Sequence, residues 1–380
     1  MQSGRDGDPG SSADSPEAPW RDRKKYLRLL GLLAPMMVAI SWLAVKATGL
    51  EVFWWTGPIL TFGIVPLLDY FIGPDNDNPP EHALADLDRD RFYRWTLSLY
   101  LPAQYLALVL ACWLWSGGGS VQLDLFGQLG LIATLGGVGG ISINAAHELG
   151  HGRGGHDGWL AKLALAQSGY GHFLIEHNRG HHARVATPED PATARLGQSL
   201  YSFVPRSVVG GIRSAWQIDG RRFARRGTSR WTLRSDVINA WLISIVLFVS
   251  LCLWFGTEVA PLLIGQAAVA IFMMETANYL EHYGLMRRKR PDGRYERVRP
   301  SHSWNSNTVC SNLLLFHLQR HSDHHANPHR RYQTLRHREE APQLPAGYPA
   351  MILLALIPPL WRRVMDPRIR EHNCPIGSPG

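Results

Sequence analysis

Six long apolar stretches constrain the fold of this chain more than any other feature. They lie near residues 29–48, 52–73, 95–115, 123–146, 237–256 and 260–280. Each approaches the roughly 20 residues that an α-helix needs to cross a bilayer. Tryptophan stands at the ends of several stretches, as aromatic residues at a membrane interface do; these are Trp54, Trp55, Trp95, Trp113 and Trp115. The pattern predicts an all-α integral membrane protein with six transmembrane helices.

The basic residues predict how these helices are oriented. If all six stretches span, the connections near 47–51, 116–122 and 257–259 lie on one side of the membrane. Of the 39 lysines and arginines, Lys46 alone borders that side. The positive-inside rule then places both termini and the large connecting segments in the cytoplasm. We therefore expect a multi-pass membrane protein with its termini on the cytoplasmic side.

The net charge of +8 follows from the same arrangement and needs no nucleic acid to explain it. A basic cytoplasmic surface favours anionic lipid headgroups and acidic protein partners. The four cysteines form no C-x-x-C pair, which argues against a disulfide framework and a thiolate metal site. Because the first 25 residues are mostly polar, the first apolar stretch is expected to be an uncleaved anchor.

Three dense histidine clusters and one further histidine follow the apolar stretches. They comprise His147 and His151; His177, His181 and His182; His282; and His321, His324 and His325. Residues four apart share a helix face, so His177 and His181 are expected on one face, with His182 in reach of the same centre. The topology places all of these histidines at the cytoplasmic membrane boundary. One such pair is more often packing or a solvated face, but three clusters favour a metal centre.

Nine imidazoles suit two metal ions, because one ion takes about four to six ligands. Nitrogen donors without thiolates fit iron, zinc or copper equally well. Nearby carboxylates are expected to orient the rings and offset the metal charge. Four candidates are interleaved with the histidines, although each is equally consistent with a solvated helix surface: Glu148, Glu176, Glu281 and Asp323.

The domain organisation follows from these features. Residues 1–25 are expected to form a disordered tail, and residues 371–380 a short C-terminal tail. Residues 26–370 are expected to form one membrane-bound domain, whose cytoplasmic helical part carries the polyhistidine site. A last apolar stretch, Tyr348 to Leu360, is short and interrupted by proline. It is expected to be re-entrant, interfacial or packed in protein.

The fourth apolar stretch contains four closely spaced glycines: Gly136, Gly137, Gly139 and Gly140. A phosphate loop would need a following Gly-Lys-Ser/Thr, which is absent, so this stretch does not predict nucleotide binding. Two interpretations remain, and both can hold. Small residues allow close helix packing, and missing side chains leave room for a substrate.

Four segments resemble the histidine motifs of the membrane alkane 1-monooxygenases, non-haem di-iron enzymes of the membrane fatty-acid desaturase and hydroxylase superfamily. They are HELGH at 147–151, EHNRGHH at 176–182, NYLEHYG at 278–284 and LQRHSDHH at 318–325. The spacing of the three clusters is shared across the superfamily, whereas the last two motifs are more specific. The resemblance covers roughly residues 25–370. It implies a cytoplasmic-side di-iron site, with all nine histidines as iron ligands.

The implied reaction inserts one oxygen atom of O2 into the terminal methyl group of an n-alkane and yields a 1-alcohol. The second oxygen leaves as water, so two external electrons are required. In this family they usually come from rubredoxin and its reductase. A fused rubredoxin needs two cysteine pairs, so a separate rubredoxin chain is expected here. Three basic runs are candidates for docking it, although topology alone also explains each: Arg221–Arg226, Arg287–Arg290 and Arg330–Arg331.

Five further histidines lie near the motifs but outside the matched ligand positions: His156, His172, His302, His317 and His329. His317 is the hardest to exclude, because it precedes His321 by four residues. His172 is expected beside the ligands or in the core.

The second apolar stretch predicts the length of the substrate. It places Gly57, Thr61 and Gly63 on or near one helical side. If that side lines a channel, its small residues leave room for medium-to-long alkanes.

Two other functions compete with this interpretation. A related desaturase or arylmethyl hydroxylase is the nearer one, and its product would distinguish it. A histidine-rich metal transporter is more remote, because transport favours ligands at the bilayer midplane on discontinuous helices.

Overall fold

The computed structural model describes residues 20–152 and 155–373. Within those residues the chain is mainly helical and has isolated bridges but no β-strands. Six helices are long and apolar enough to cross a membrane: Tyr26–Thr48, Glu51–Ile72, Arg91–Trp115, Leu125–Gly150, Asp236–Phe255 and Thr257–His282. They are called the first to sixth membrane helices below. The predicted all-α architecture with six spanning helices is confirmed.

The fourth and sixth membrane helices extend beyond their apolar stretches. The fourth continues to Gly150 and the sixth to His282. Hydropathy marks only the part of a helix that suits lipid, whereas backbone hydrogen bonding continues into the polar residues that follow. The extensions carry His147 and His282, so these two ligand candidates belong to the membrane helices themselves.

The helix Glu81–Arg89 lies between the second and third membrane helices, and the other α-helices outside the six follow the fourth and sixth along the chain. Between the fourth and fifth lie Gly155–Ala166, a segment from Phe173 to Arg184, and Leu200–Ala224. After the sixth lie His321–Ala326, Tyr348–Ala355 and Pro358–Asn373. The helix Tyr348–Ala355 buries Tyr348, Met351 and Ile352 in a cluster with residues of the sixth membrane helix. One face of the last apolar stretch is therefore packed in protein, whereas Leu353, Ile357 and Leu360 are exposed.

The two expected tails lie partly outside the described residues, which exclude 1–19 and 374–380. Within the part of the expected N-terminal tail that is described, Lys25 Nζ donates to Asp90 at 2.6 Å and Lys24 pairs with Asp75. At the other end the last helix continues to Asn373, beyond the expected boundary at 370.

The four glycines of the fourth membrane helix divide between the two roles that the sequence left open. A Cβ at Gly139 would lie 2.9 Å from the Cβ of Ala270 on the sixth membrane helix, and Gly136 faces Val269 in the same way. Gly137 and Gly140 instead line an apolar cavity. Gly136 and Gly139 therefore serve helix packing, whereas Gly137 and Gly140 leave space for a ligand.

Replacing Gly139 with leucine should destabilise the protein. The new side chain would have to occupy space already filled by Ala270, and overpacking of this kind costs about 1–3 kcal/mol. We expect a lower unfolding temperature in detergent, measured by circular dichroism.

Gly137→Leu is the matched control, because among the described residues no heavy atom outside its own helix lies within 4 Å of a Cβ at this position. Its unfolding temperature should stay close to that of the wild type. Equal destabilisation by both substitutions would contradict the assignment of Gly139 to helix packing.

Candidate metal centre

The structure brings all nine predicted histidines together in two groups. The five-histidine group contains His147, His151, His177, His182 and His324. The four-histidine group contains His181, His282, His321 and His325. Within each group the ligand atoms lie within 4.8 Å of one another. The four-histidine group is wholly buried, whereas His151 and His182 of the other group are partly exposed.

In the five-histidine group the Nε2 atoms face a common point. The Nε2 atom of His324 lies 3.0 Å from that of His147 and 3.1 Å from that of His182. His182 Nε2 is in turn 3.0 Å from His177 Nε2. The rings therefore direct the same nitrogen inward, although they come from three separate parts of the chain.

The four-histidine group has the same arrangement. The Nε2 atom of His325 lies 2.8 Å from that of His321 and 3.2 Å from that of His181. His321 Nε2 is also 3.2 Å from His282 Nε2. His282 ends the sixth membrane helix, so this group joins a membrane helix directly to the segments outside it.

The second histidine cluster differs from the expectation that His177 and His181 share one face. Residues His177–His181 form a π-helix, in which the backbone N–H of His182 donates to the carbonyl of His177 five residues earlier. Residues five apart therefore align, and His177 and His182 fall in one group while His181 enters the other. Single π-helical turns inside α-helices are frequent at functional sites.

The short helix His321–Ala326 serves both groups. His321 and His325 are four apart and belong to the four-histidine group, as α-helical spacing predicts. His324 lies about 100° around the helix from His325 and belongs to the other group. One helical turn thus lies between the two centres.

Burial favours the neutral form of most of the imidazoles outside the membrane helices. Burial, together with the neighbouring imidazoles, holds the pKa of His177, His324 and His325 well below the usual value. Burial likewise lowers the pKa of His151 to about 4. Metal ligation requires unprotonated imidazole, so these rings are in the correct state at neutral pH.

The nitrogen spacing fits metal coordination. Two nitrogens bound at right angles to one ion, with bonds of about 2.1 Å, would be about 3.0 Å apart. The Nε2–Nε2 distances of 2.8–3.2 Å match that value. His151 Nε2 is buried and, within the described chain, has no hydrogen-bond partner. The donor set therefore fits two metal ions held by nitrogen.

Sequence reasoning missed Asp190. Its Oδ2 atom accepts a hydrogen bond from Nδ1 of His181 at 2.9 Å and another from the hydroxyl of Thr193 at 2.6 Å. Burial alone would lower the pKa of His181, but Asp190 outweighs it and raises that pKa. Carboxylates in this position fix the orientation of a ligand ring. A signal was present in the sequence, since Asp190 lies eight residues after His182 in a Thr-Pro-Glu-Asp-Pro segment.

The four predicted carboxylates occupy different environments. Glu281 lies nearest the histidines, with Oε2 3.2 Å from His321 Nε2. Glu148 accepts from the backbone N–H of Tyr332, and Glu176 accepts from Arg184.

Asp323 accepts from the side chains of Arg330 and Arg338. Among the described residues, Glu148, Glu176 and Asp323 make no hydrogen bond to a ring nitrogen of the nine histidines. Their contacts are with the surrounding backbone and arginines, which differs from the expected orienting role.

The five histidines outside the matched positions belong to neither group. His156 and His329 are exposed, whereas His172 is buried beside Tyr170 and Trp241. His302 pairs with Glu296 at 3.3 Å. His317 has a left-handed backbone (φ +56°) and packs near Tyr332. Its position one turn before His321 therefore does not bring it into a group.

An apolar cavity of about 130 Å³ lies between the second, fourth and sixth membrane helices. This is roughly ten times the space that one water needs. Gly57 and Thr61 line it, but Gly63 does not. Three other lining residues lie close in sequence to residues of the site. Asn144 is three residues before His147, Ala277 is four before Glu281, and Leu318 is three before His321. The cavity therefore adjoins the segments that carry both histidine groups.

The six apolar helices and the paired histidine groups are the features expected of a membrane-bound enzyme with a metal centre. A sequence model of the fatty acid desaturase family matches residues 125–355, which include all nine histidines. The chain belongs to this family.

Comparison with individual proteins shows which members of this family the chain resembles. The chain is 44% identical to alkane 1-monooxygenase 1 of Alcanivorax borkumensis over 96% of its length and 89% of that protein. It is also 44% identical to an alkane 1-monooxygenase of Pseudomonas putida, over 95% and 89%. The hydroxylase component of a Pseudomonas putida xylene/toluene monooxygenase is 29% identical over 69% of each chain. The protein is thus a member of the alkane 1-monooxygenase family, and the predicted relationship is confirmed.

Replacing Asp190 with asparagine should weaken metal binding at the four-histidine group. The loss of a carboxylate that orients a ligand ring typically costs 10–100-fold in metal affinity. We expect the variant to release metal to a chelator at a correspondingly lower chelator concentration, measured by elemental analysis after dialysis.

Asp157→Asn provides the control, because Asp157 is also buried but pairs with Arg94 rather than with a histidine. Its metal retention should match that of the wild type. Similar metal loss from both variants would contradict a specific role for Asp190.

Proposed function

We propose that this protein hydroxylates medium-to-long n-alkanes at the terminal methyl group, with O2 as the oxygen source and two iron ions held by the nine histidines. The observation that carries the proposal is the convergence of nine imidazoles in two groups beside an apolar cavity between membrane helices. The names of the alkane 1-monooxygenase relatives support the substrate class. The reaction would give a 1-alcohol and water.

The proposed ligands are the members of the two groups, each through Nε2. When bound, the two irons would supply the dioxygen binding and redox chemistry that the side chains lack. Nitrogen donors alone do not distinguish iron from zinc or copper, so the choice of iron rests on the alkane monooxygenase assignment. The role of the chain is to hold neutral rings at fixed positions and to shield the four-histidine group from water.

The cavity accounts for the regiochemistry of the proposed reaction. An alkane offers no polar group for recognition, so its orientation must follow from the shape of the apolar space around it. The cavity wall combines small residues such as Gly57 and Gly137 with larger apolar ones such as Phe62 and Met273. A narrow space of this kind favours entry of the chain end and brings a terminal methyl group towards the histidines.

The proposed location is the bacterial inner membrane, with the histidine groups on the cytoplasmic side. The argument is the positive-inside rule applied to the observed helices. The connections between the first and second and between the fifth and sixth membrane helices contain no lysine or arginine. The segments at the opposite ends carry nearly all of the basic residues.

The proposed electron donor is a separate rubredoxin, reduced by rubredoxin reductase. Among the candidate docking residues, Arg221, Arg225 and Arg226 are exposed, as are those at 288–290. Arg330 and Arg331 are instead engaged with Asp323 and Asp88. An open cleft beside Arg330 and Arg331 reaches His151, which gives the five-histidine group the more direct connection to solvent.

A related desaturation or arylmethyl hydroxylation is the alternative to be tested. It is favoured by the match to the fatty acid desaturase family and by the similarity to a xylene/toluene monooxygenase component. A desaturase would produce an alkene, and an arylmethyl hydroxylase a benzylic alcohol, so product analysis separates the three.

The proposal predicts NADH-dependent conversion of hexadecane or octane to the 1-alcohol. The assay combines purified membranes with rubredoxin and its reductase, and gas chromatography identifies the product. Purified protein should contain about two irons per chain. His181→Ala and His324→Ala each remove a ring from one group, so both should abolish turnover and lower the iron content.

His329→Ala is the matched control, because His329 is exposed and belongs to neither group. It should retain both activity and iron. Formation of an alkene from these alkanes instead of the 1-alcohol, oxidation of toluene to benzyl alcohol with no turnover of the alkanes, or a wild-type protein without iron would refute the proposal.

Thr61→Trp should shorten the range of accepted alkanes. Thr61 lines the cavity, and a tryptophan there would block part of its length. We expect turnover of octane to persist while turnover of hexadecane falls at least tenfold in a competition assay. Gly63→Ala is the control, since Gly63 is outside the lining and should leave the chain-length profile unchanged. An unaltered profile in Thr61→Trp would contradict the assignment of this cavity to the substrate.

A further inference from the structure

Glu281 differs from the other three carboxylates that the sequence predicted near the histidines. It is completely buried and precedes His282 at the end of the sixth membrane helix. Its Oε1 atom accepts a hydrogen bond from the hydroxyl of Tyr348 at 2.9 Å. Its Oε2 atom has no hydrogen-bond partner among the described residues. One oxygen is therefore held in place while the other is left free.

The free oxygen lies against the four-histidine group. Oε2 is 3.2 Å from Nε2 of His321, the same nitrogen that faces His325 at 2.8 Å and His282 at 3.2 Å. The oxygen-to-nitrogen distance thus equals one of the nitrogen-to-nitrogen distances within the group. The contact lacks the geometry of a hydrogen bond, and Oε2 therefore lies beside the four Nε2 atoms without being paired to one of them.

A cation at this point would also compensate the negative charge of Glu281 in its ionised form. An ionised carboxylate is costly to bury unless an opposite charge compensates it. Within the described chain, no lysine or arginine forms an ion pair with Glu281, and its ionic contact is with His321. A metal ion held by four neutral imidazoles has the complementary need for a negative ligand.

We propose that Glu281 is a fifth ligand of the four-histidine group and binds its metal ion through Oε2. The two groups would then offer five donor atoms each, all nitrogen in one and four nitrogens with one oxygen in the other. This inference rests on the proposed function only in requiring that a metal occupies the site. It makes the two metal positions chemically different.

Tyr348 is the positioning residue in this arrangement. Its hydroxyl holds Oε1, and its side chain also lines the apolar cavity. Tyr348 therefore fixes the carboxylate from the cavity side. A change in the cavity wall at this position would be transmitted to the metal through Glu281.

Mössbauer spectroscopy of 57Fe-loaded protein tests the proposal without relying on turnover. The reduced wild type should show two quadrupole doublets of similar area, one for each iron. Glu281→Gln replaces the charged oxygen donor with a neutral amide. It should alter one doublet and leave the other unchanged, and it should make one of the two irons easier to remove with a chelator. Tyr348→Phe should keep both irons and shift the same doublet by a smaller amount.

Glu275→Gln is the matched control. Glu275 is buried on the same helix six residues earlier, and its Oε1 accepts from Tyr170 at 2.6 Å. This variant should give the wild-type spectrum. A Glu281→Gln protein with two irons and two unchanged doublets would overturn the proposal.

A measurement on the wild type covers the case in which Glu281→Gln does not fold. Protein labelled with 13C at the glutamate carboxyl carbon, reduced by one electron, should show a 13C hyperfine coupling by electron–nuclear double resonance. A well-resolved spectrum without that coupling would also overturn the proposal. A wild type that binds iron but produces no 1-alcohol would refute the proposed reaction and leave the ligand assignment standing.

Discussion

A buried imidazole whose polar nitrogen lacks a partner costs about 1–3 kcal/mol. Here nine rings are brought together, and their Nε2 atoms face one another at 2.8–3.2 Å. Neutral imidazoles cannot all satisfy one another, because facing lone pairs repel and each ring carries a single proton to donate. A metal cation bound between the Nε2 atoms of each group would remove this repulsion. The surrounding helices hold the rings in this arrangement, and metal binding would offset its free-energy cost.

The fourth membrane helix positions His147 of the five-histidine group, and the sixth positions His282 of the four-histidine group. The fourth ends near His147 and His151, and the sixth ends at His282. Gly139 lets these two helices approach so closely that a Cβ would collide with Ala270. Packing in the apolar part of the protein therefore determines where ligands outside it meet. The remaining ligands come from segments that fold against these helix ends.

The two groups have different surroundings, which suggests a division of labour in the proposed reaction. The five-histidine group includes two partly exposed rings, and an open cleft leads to His151. The four-histidine group is fully buried, and Glu281 connects it through Tyr348 to the apolar cavity. One group thus faces the aqueous side, from which electrons would come. The other adjoins the apolar side, from which an alkane would come.

The sequence by itself determined the six spanning helices, because the length of an apolar stretch and the placement of basic residues act locally. It also identified the nine histidines, through their spacing and their resemblance to a family. Only the tertiary structure determined which histidines belong to the five-histidine group and which to the four-histidine group. The π-helix at His177–His181 aligns residues five apart, and a backbone hydrogen-bond register of this kind depends on packing that local spacing does not encode. The same holds for Asp190 and for the alternate roles of Gly137 and Gly139, since the direction in which a residue faces is fixed only when its neighbours are in place.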